Sequence, residues 1–93
     1  MKSYLFLLFF GMVPIAYAAE VEIYTASYCG ECKRATKYLR EKGIAFDERD
    51  VEKNIELLRE FYARGGKGVP YLFVHGTPMH GFDAKRFEQL RAR

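Results

Sequence analysis

The pattern of apolar and polar positions along residues 19–93 predicts an alternation of short strands and helices. Val21–Thr25 alternates apolar and polar side chains and is rich in β-formers, which is typical of a short strand. From residue 32 the small and apolar positions recur at helical spacing, at Cys32, Ala35, Thr36 and Leu39. Gly43 is expected to end this helix, and a second strand is predicted from residue 44 to about residue 51.

The second half of the chain predicts two more helices and a hairpin. Asn54 is a candidate N-cap, and the expected core stripe of the helix that follows is Ile55, Leu58, Phe61 and Tyr62. Residues 69–74 are almost continuously apolar, as expected for a strand that is covered on both faces. A turn leads to a short strand at residues 78–80, and Asp83 is expected to cap a last helix that runs to Leu90.

The resulting order of elements, β-α-β-α-β-β-α, defines the fold class. We predict one α/β domain over residues 19–93, with a four-stranded mixed sheet flanked by helices. The first β-α-β unit is expected to be a right-handed crossover between parallel strands, and the last two strands are expected to form an antiparallel hairpin. Phe82 and Phe87 flank the Asp83 cap at the spacing of a hydrophobic staple.

Residues 1–18 form a separate segment with a single charge. Lys2 gives it a positive start, residues 4–10 are an apolar and aromatic run, and Ala16 and Ala18 are small residues where a signal peptidase reads the chain. Its uncharged stretch is slightly shorter than the roughly 20 apolar residues of a transmembrane helix. We therefore predict an export signal that is cleaved after Ala18, with an uncleaved anchor as the alternative.

Composition and charge place the remainder among ordinary globular domains. The whole chain is 49% hydrophobic and 29% charged, and 93 residues leave room for one core. Without Lys2, 14 basic and 12 acidic residues nearly balance. Nucleic acid is therefore not indicated as a partner.

Two cysteines in a CxxC motif, Cys29 and Cys32, carry the candidate chemistry. A disulfide across so short a loop would stabilise a fold by only about 2 kcal/mol, so a purely structural role explains the spacing poorly. The two histidines, His75 and His80, lie more than 40 residues from the motif, and no zinc site is indicated. A redox-active dithiol explains the pair best.

The place of the pair predicts different roles for its two thiols. Cys29 is expected at the start of a helix, where unpaired backbone N–H groups and the positive end of the helix dipole stabilise a thiolate. Cys32 lies one turn deeper and is expected to resolve the mixed disulfide that Cys29 forms. Glu31 would oppose the thiolate if its carboxylate points at Cys29, whereas Lys33 and Arg34 would support it.

Substrate binding is assigned to three residues near the motif in the predicted fold. Tyr28 forms one wall of the substrate groove or, equally, is ordinary surface packing. Pro70 opens a core strand, a position where the missing N–H is tolerated. Our hypothesis is that the Val69-Pro70 bond is cis and that it sets the Val69 backbone opposite Cys29, where it can pair with an incoming peptide.

The CxxC helix, Val69-Pro70 and the Gly81-Phe82-Asp83 sequence before the last helix together resemble the glutaredoxin family, over residues 21–90. The resemblance implies a thioredoxin-like fold and dithiol–disulfide exchange with Cys29 as the nucleophile. It also makes glutathione a candidate cofactor. The positions that match the glutathione site of the family are Lys67, Val69, Gly81, Phe82 and Asp83.

The chain departs from the family pattern at several positions. Ala26 stands where a lysine of the family helps to bind glutathione, and Asp83 alone replaces a pair of aspartates. The pair between the cysteines is Gly-Glu instead of Pro-Tyr. Gly81-Phe82 also resembles the glutaredoxin-like hydrogen donors of ribonucleotide reductase, which do not depend on glutathione. Glutathione use therefore stays open.

The sequence thus predicts an exported thiol–disulfide oxidoreductase of the bacterial periplasm that acts on protein or low-molecular-weight disulfides. Cytosolic reductants do not reach that compartment, so the protein either oxidises or isomerises its substrates or draws electrons from a membrane reductant. No resident metal is expected on this interpretation. The alternatives are a non-enzymatic module that binds copper(I), or an iron–sulfur cluster shared between two chains, through the cysteines, and an interaction domain that keeps only the fold.

Overall fold

The computed structural model describes residues 19–93, and the predicted signal segment at residues 1–18 lies outside the described residues. The described chain has the predicted order of elements. These are β1 (Val21–Thr25), α1 (Gly30–Glu41), β2 (Phe46–Asp50), α2 (Ile55–Ala63), β3 (Tyr71–Val74), β4 (Thr77–His80) and α3 (Ala84–Arg91). Among these helices, none has the length and apolar character needed to cross a bilayer.

The four strands form one mixed sheet in the order β2-β1-β3-β4. Strand β1 pairs in parallel with β2 and antiparallel with β3, and β3 pairs antiparallel with β4. The predicted parallel first unit and the predicted antiparallel hairpin are both confirmed. His75 and Gly76 join β3 to β4 with positive φ angles of 50° and 85°, as a two-residue hairpin turn requires.

The two faces of the sheet bury two different clusters, because side chains alternate along each strand. Val21 and Ile23 of β1 pack with side chains of α1 and α3, such as Leu39 and Phe87. On the opposite face Tyr24 packs against α2 through Phe61, together with Tyr71 and Phe73 of β3. All four residues of β3 are buried, which confirms the prediction of a strand covered on both faces.

Predicted caps fix where the helices begin and end. Asn54 Oδ1 accepts a hydrogen bond from the Glu56 amide at 2.8 Å, and Asp83 Oδ2 accepts one from the Arg86 amide at 3.3 Å. Gly43, with a φ of 69°, follows the C-cap of α1. The predicted staple is present, with the rings of Phe82 and Phe87 5.6 Å apart.

The predicted core stripe of α2 is partly wrong. Phe61 is buried and Leu58 is partly buried, but Ile55 and Tyr62 are 56% and 62% exposed. Helix α2 has only nine residues, and its contact with the aromatic cluster of the sheet is made chiefly by Phe61. Ile55 and Tyr62 therefore lie outside the core, near the two ends of this short helix.

The second strand begins two residues later than predicted. Ile44 is buried, but its amide donates a hydrogen bond of 2.9 Å to the Leu39 carbonyl and so closes the end of α1. Ile44, which the pattern assigned to a strand, therefore belongs to the C-terminal end of α1, and β2 starts at Phe46.

A polar cluster lies at the edge of the α2 interface around the buried side chain of Tyr24. Its hydroxyl donates to the Glu60 carboxylate and accepts from Arg64 Nη1 at 2.9 Å and from Arg49 Nη1 at 3.3 Å. Burial raises the pKa of Tyr24, and so does the bond to Glu60. The same bond holds the pKa of Glu60 below its ordinary value.

We expect Tyr24→Phe to lower the free energy of unfolding by about 1–2 kcal/mol at neutral pH, because it leaves the groups of the cluster without their common partner. Folding lowers the pKa of Glu60, so its contribution to the free energy of unfolding is present above the ordinary carboxyl pKa and is lost as the pH falls through the pKa of the folded state. The difference in the free energy of unfolding between wild type and variant should therefore become smaller in acid. Urea denaturation at several pH values measures it. Tyr62→Phe, at an exposed tyrosine, is the matched control, and equal effects of the two substitutions would contradict the expectation.

Candidate active site

The strand-to-helix junction after β1 positions the first cysteine of the motif. The Cys29 amide donates to the Ala26 carbonyl at 3.1 Å, which closes a tight turn directly after the strand. Cys29 is the N-cap of α1, with extended backbone angles of −92° and 103°, and its Sγ accepts a hydrogen bond from the Cys32 amide at 3.0 Å. The Cys32 amide belongs to the first helical turn and has no carbonyl partner within the helix, and it donates to this sulfur instead.

The two cysteines are joined as a disulfide, with their Cα atoms 5.2 Å apart. Cys29 is 7% exposed and Cys32 is 2% exposed. The residue at the helix start is thus slightly the more exposed of two buried cysteines, and its partner lies about one turn further along the helix.

The segment before β3 packs against this pair. The Val69-Pro70 bond is cis, as the sequence predicted. The Val69 side chain lies against the cluster of Ala26, Cys29 and Cys32. Within residues 19–93 the backbone hydrogen bonds leave the Val69 amide and carbonyl without a partner, whereas the Pro70 carbonyl accepts from the Gly81 amide at 2.9 Å.

The charged groups of the first helical turn point in different directions. The carboxylate of Glu31 reaches across to the loop before α3, where its Oε2 accepts a hydrogen bond from the Phe82 amide at 2.9 Å. The Arg34 guanidinium folds back over the first turn, with Nη1 3.8 Å from the position that a Cβ on Gly30 would take. The negative charge of the motif is therefore engaged with another segment, and a positive charge lies beside the first turn.

The loop that precedes Cys29 is tied to the end of β2. Glu52 Oε1 accepts hydrogen bonds from the Ser27 hydroxyl at 2.7 Å and from the Ser27 amide at 3.0 Å. These two bonds, the hydroxyl first, hold the pKa of Glu52 below its ordinary value. The charged carboxylate thus fixes the loop from which Cys29 is presented.

Two grooves lie beside the segments that adjoin the cysteines, one at Tyr28 and one at Val69. The first, of about 540 Å3, lies between the Cys29 loop and the start of α2, and it is lined by Tyr28, Val51, Glu52, Lys53, Asn54, Ile55 and Leu58. The second, of about 350 Å3, lies on the other side of Val69, and it is lined by Lys67, Gly68, Val69, Pro70, His80 and Gly81. We call them the Tyr28 groove and the Lys67 groove. Tyr28 is 75% exposed and so offers its ring to the first groove instead of packing in the core.

The structure separates the residues that the sequence assigned to glutathione. Lys67, Val69 and Gly81 share the Lys67 groove. Phe82 instead turns its ring inward against Tyr38 and Phe87, at centroid distances of 5.3 and 5.6 Å. The carboxylate of Asp83 is used as the cap of α3. Three of the five positions therefore come together, and the other two serve mainly the fold.

Two contacts of the site were not predicted from the sequence. Glu31 was considered only for its effect on the Cys29 thiolate, and its bond to Phe82 joins residues that are 51 positions apart. Glu52 was not singled out, and its bond to Ser27 spans 25 positions. Because both pairs depend on how distant segments meet, no local pattern marks them.

Potential metal ligands do not converge in the described part of the chain. Across residues 19–93, no group of three or more histidine, cysteine, aspartate or glutamate side chains is arranged to hold a metal ion.

The fold and site define a class of protein. A sheet with a CxxC disulfide at a strand-to-helix junction, and a cis-proline segment packed against it, is the thioredoxin-like arrangement for dithiol–disulfide exchange. The family model described as Glutaredoxin matches residues 21–79. The chain belongs to the glutaredoxin family.

Individual relatives agree with this assignment. Glutaredoxin 3 of Escherichia coli is 36% identical over 66 residues, which cover 70% of this chain and 80% of the relative. The glutaredoxin-like protein NrdH of Lactococcus lactis is 27% identical over 70 residues, which cover 75% of this chain and 97% of the relative. The crystal structure of a glutaredoxin from Archaeoglobus fulgidus matches with a TM-score of 0.67 at 26% identity, over 90% of this chain and 91% of that one.

We expect Ser27→Ala to raise the pKa of Glu52 towards its ordinary value, because the hydroxyl gives the stronger of the two bonds that lower it. Titration of the side-chain carboxyl carbons by NMR measures the change. Glu88, whose pKa is lowered by Tyr38, is the internal control and should not move. An unchanged Glu52 titration in the variant would show that the loop is not held by this bond.

Proposed function

We propose that the protein exchanges disulfides outside the cytoplasmic membrane through the Cys29–Cys32 dithiol. The observation that carries the proposal is the N-cap position of Cys29, whose sulfur accepts a hydrogen bond from the Cys32 amide and which is the more exposed residue of the pair. An amide aimed at that sulfur stabilises the thiolate, which is the nucleophile in thiol–disulfide exchange.

The exchange proceeds in two balanced steps from the reduced protein. The Cys29 thiolate attacks one sulfur of a substrate disulfide, a protein–substrate disulfide forms, and the other substrate sulfur leaves as a thiolate that takes a proton from solvent. The Cys32 thiolate then attacks the Cys29 sulfur, which closes the internal disulfide and releases the second substrate sulfur as a thiolate that likewise takes a proton from solvent. Two electrons pass from the protein to the substrate, and the reverse sequence oxidises a substrate dithiol.

Protein disulfides and low-molecular-weight disulfides are the proposed substrates. The backbone groups of Val69 lie beside the motif and are free within residues 19–93 to pair with an extended peptide. Tyr28 lines the neighbouring groove, where a substrate side chain can pack. These features support a peptide that crosses Cys29 between the two grooves.

Glutathione fits the site only in part, and no step of the proposed exchange is routed through it. Lys67 and Val69 lie in one groove where a peptide-sized thiol can bind. The Phe82 amide, however, is bonded to Glu31. The electron donor or acceptor is proposed to be a partner outside the cytoplasm, with a membrane reductant as one alternative and oxidation or isomerisation of substrates as the other.

We expect Cys29→Ser to reduce the reduction of insulin and of bis(2-hydroxyethyl) disulfide to the uncatalysed rate, because it removes the attacking thiolate. Cys32→Ser keeps the attacking sulfur and loses the resolving one, so a substrate adduct on Cys29 should accumulate and be visible by mass spectrometry. Assays with and without glutathione show whether it is needed. An inactive wild type that binds copper(I) stoichiometrically would contradict the proposal and favour the metal-handling alternative.

Export is proposed from the signal-like residues 1–18, and the folded domain is compatible with cleavage after Ala18. Glu20, the second residue of the chain that would remain, is bound to the folded domain. Its carboxylate accepts from Arg91 Nε at 3.0 Å, and its carbonyl accepts from the His75 amide at 3.2 Å. The chain that would remain after cleavage is therefore anchored close to its new N-terminus.

Expression of the full chain in a bacterium should give a periplasmic protein whose sequence starts at Ala19. N-terminal sequencing of the osmotic-shock fraction measures this. Ala18→Phe should block cleavage because it places a large side chain where the peptidase requires a small one, whereas Tyr17→Ala, at the position between the small residues, should be cleaved like wild type. An intact Met1 on the exported protein would contradict cleavage, and retention in the cytoplasm would contradict export.

A further inference from the structure

In the loop between β4 and α3, a bonded backbone amide lies one residue from the wall of the Lys67 groove. Gly81 lines that groove, and Phe82 is the next residue. Glu31 Oε2 accepts from the Phe82 amide at 2.9 Å. The same oxygen lies 3.6 Å from the position that a Cβ on Gly81 would take, so it rests against the backbone of the groove wall.

We infer that Glu31 is a specificity-determining residue that selects against disulfides bearing carboxylates in the Lys67 groove. The inference rests on the proposed exchange reaction and names the substrate class that the site disfavours. A backbone amide that already donates to a carboxylate is not available to the carboxylate of a substrate. The fixed negative charge also repels a second anion that approaches the same wall.

Lys67 is the cation on the groove lining and would attract an anionic substrate. The negative charge of Glu31 opposes the attraction of Lys67 for an anionic substrate. Neutral and cationic disulfides lose nothing at the Phe82 amide, because they have no carboxylate to place there. Some of the residues that match the glutathione site of the family are thus present. Next to them, Glu31 of the CxxC motif accepts the hydrogen bond that the Phe82 amide can donate.

The bond between Glu31 and Phe82 also ties the start of α1 to the loop before α3, and a purely mechanical role must be distinguished from selection. Glu31→Gln keeps a side-chain oxygen that can accept from the Phe82 amide and removes only the charge. Glu31→Ala removes both and frees the amide. Glu41→Gln makes the same change of charge at the far end of the same helix, where Glu41 is exposed and pairs with Lys37 at 3.0 Å.

The test uses the fully reduced protein in single-turnover reactions, quenched with acid and analysed by mass spectrometry. Three probe disulfides are compared, which are oxidised glutathione (anionic), bis(2-hydroxyethyl) disulfide (neutral) and cystamine (cationic). The readout is the rate constant for each charged disulfide divided by that for the neutral one on the same sample. Any general change in the reactivity of Cys29 cancels in this ratio.

We expect Glu31→Gln to raise the ratio for oxidised glutathione about three- to tenfold and to lower the ratio for cystamine, with both effects smaller at 1 M salt. Glu31→Ala should raise the glutathione ratio further, because the Phe82 amide becomes free. Glu41→Gln should leave both ratios unchanged.

Ratios that stay within twofold of wild type in both Glu31 variants would overturn the inference while the proposed function stands, since a mechanical tie predicts that result. Equal glutathione ratios in the Gln and Ala variants would overturn the role of the Phe82 amide. A wild-type protein that reacts with none of the three disulfides would overturn the proposed function, and this inference with it.

Discussion

The hydrogen bond from the Cys32 amide to the Cys29 sulfur is the contact on which the proposed exchange depends. It exists because β1 ends directly before a tight turn and α1 begins at once, so a free amide of the first turn meets the side chain of its own N-cap. That geometry makes the two sulfurs unequal although they belong to one short motif. Cys29 has the amide and the slightly larger exposed fraction, and Cys32 is buried in the first turn of the helix. The proposed exchange assigns attack to the first residue and resolution to the second.

The site lies where the aromatic cluster under α2 meets a smaller cluster around the cysteines. Val69 and Val51 each pack against both the aromatic cluster under α2 and the small cluster around the cysteines. The segment before β3 is consequently packed, through Val69, against the sheet on one side and against the CxxC motif on the other. The Val69 amide and carbonyl are fixed in this way but have no backbone hydrogen-bond partner within the described chain, so they are suited to recognise another backbone. The fold thus supplies both the sulfur and the surface beside it.

Local signals in the sequence predicted most of the fold, and they failed where tertiary contact decides. The caps at Asn54 and Asp83 depend on residue type and immediate neighbours, so they could be predicted. The exposure of Ile55 and Tyr62 could not, because helical periodicity gives the direction of an apolar face but not how much of a short helix the sheet can cover. In the site, spacing and residue type identified the cysteines and the proline. The tie between Ser27 and Glu52 depends on the position of the end of β2, which no spacing encodes.

The same distinction changes how the residues between the cysteines are interpreted. Considered as part of a helix start, Glu31 is an acid near a sulfur that should be negatively charged, and it would oppose the reaction. In the folded protein its carboxylate is taken up by the Phe82 amide, while the Arg34 guanidinium lies over the first turn. The effect of each charged side chain in this motif therefore depends on the segment that the side chain contacts. Proximity to the cysteines in the sequence does not give its effect on the thiolate. The first turn of α1 contacts the loop before α3 through Glu31, and it contacts the Cys29 sulfur through the Cys32 amide. Because these two contacts are separate, a substitution inside such a motif can alter what binds beside the cysteines without altering how the cysteines react.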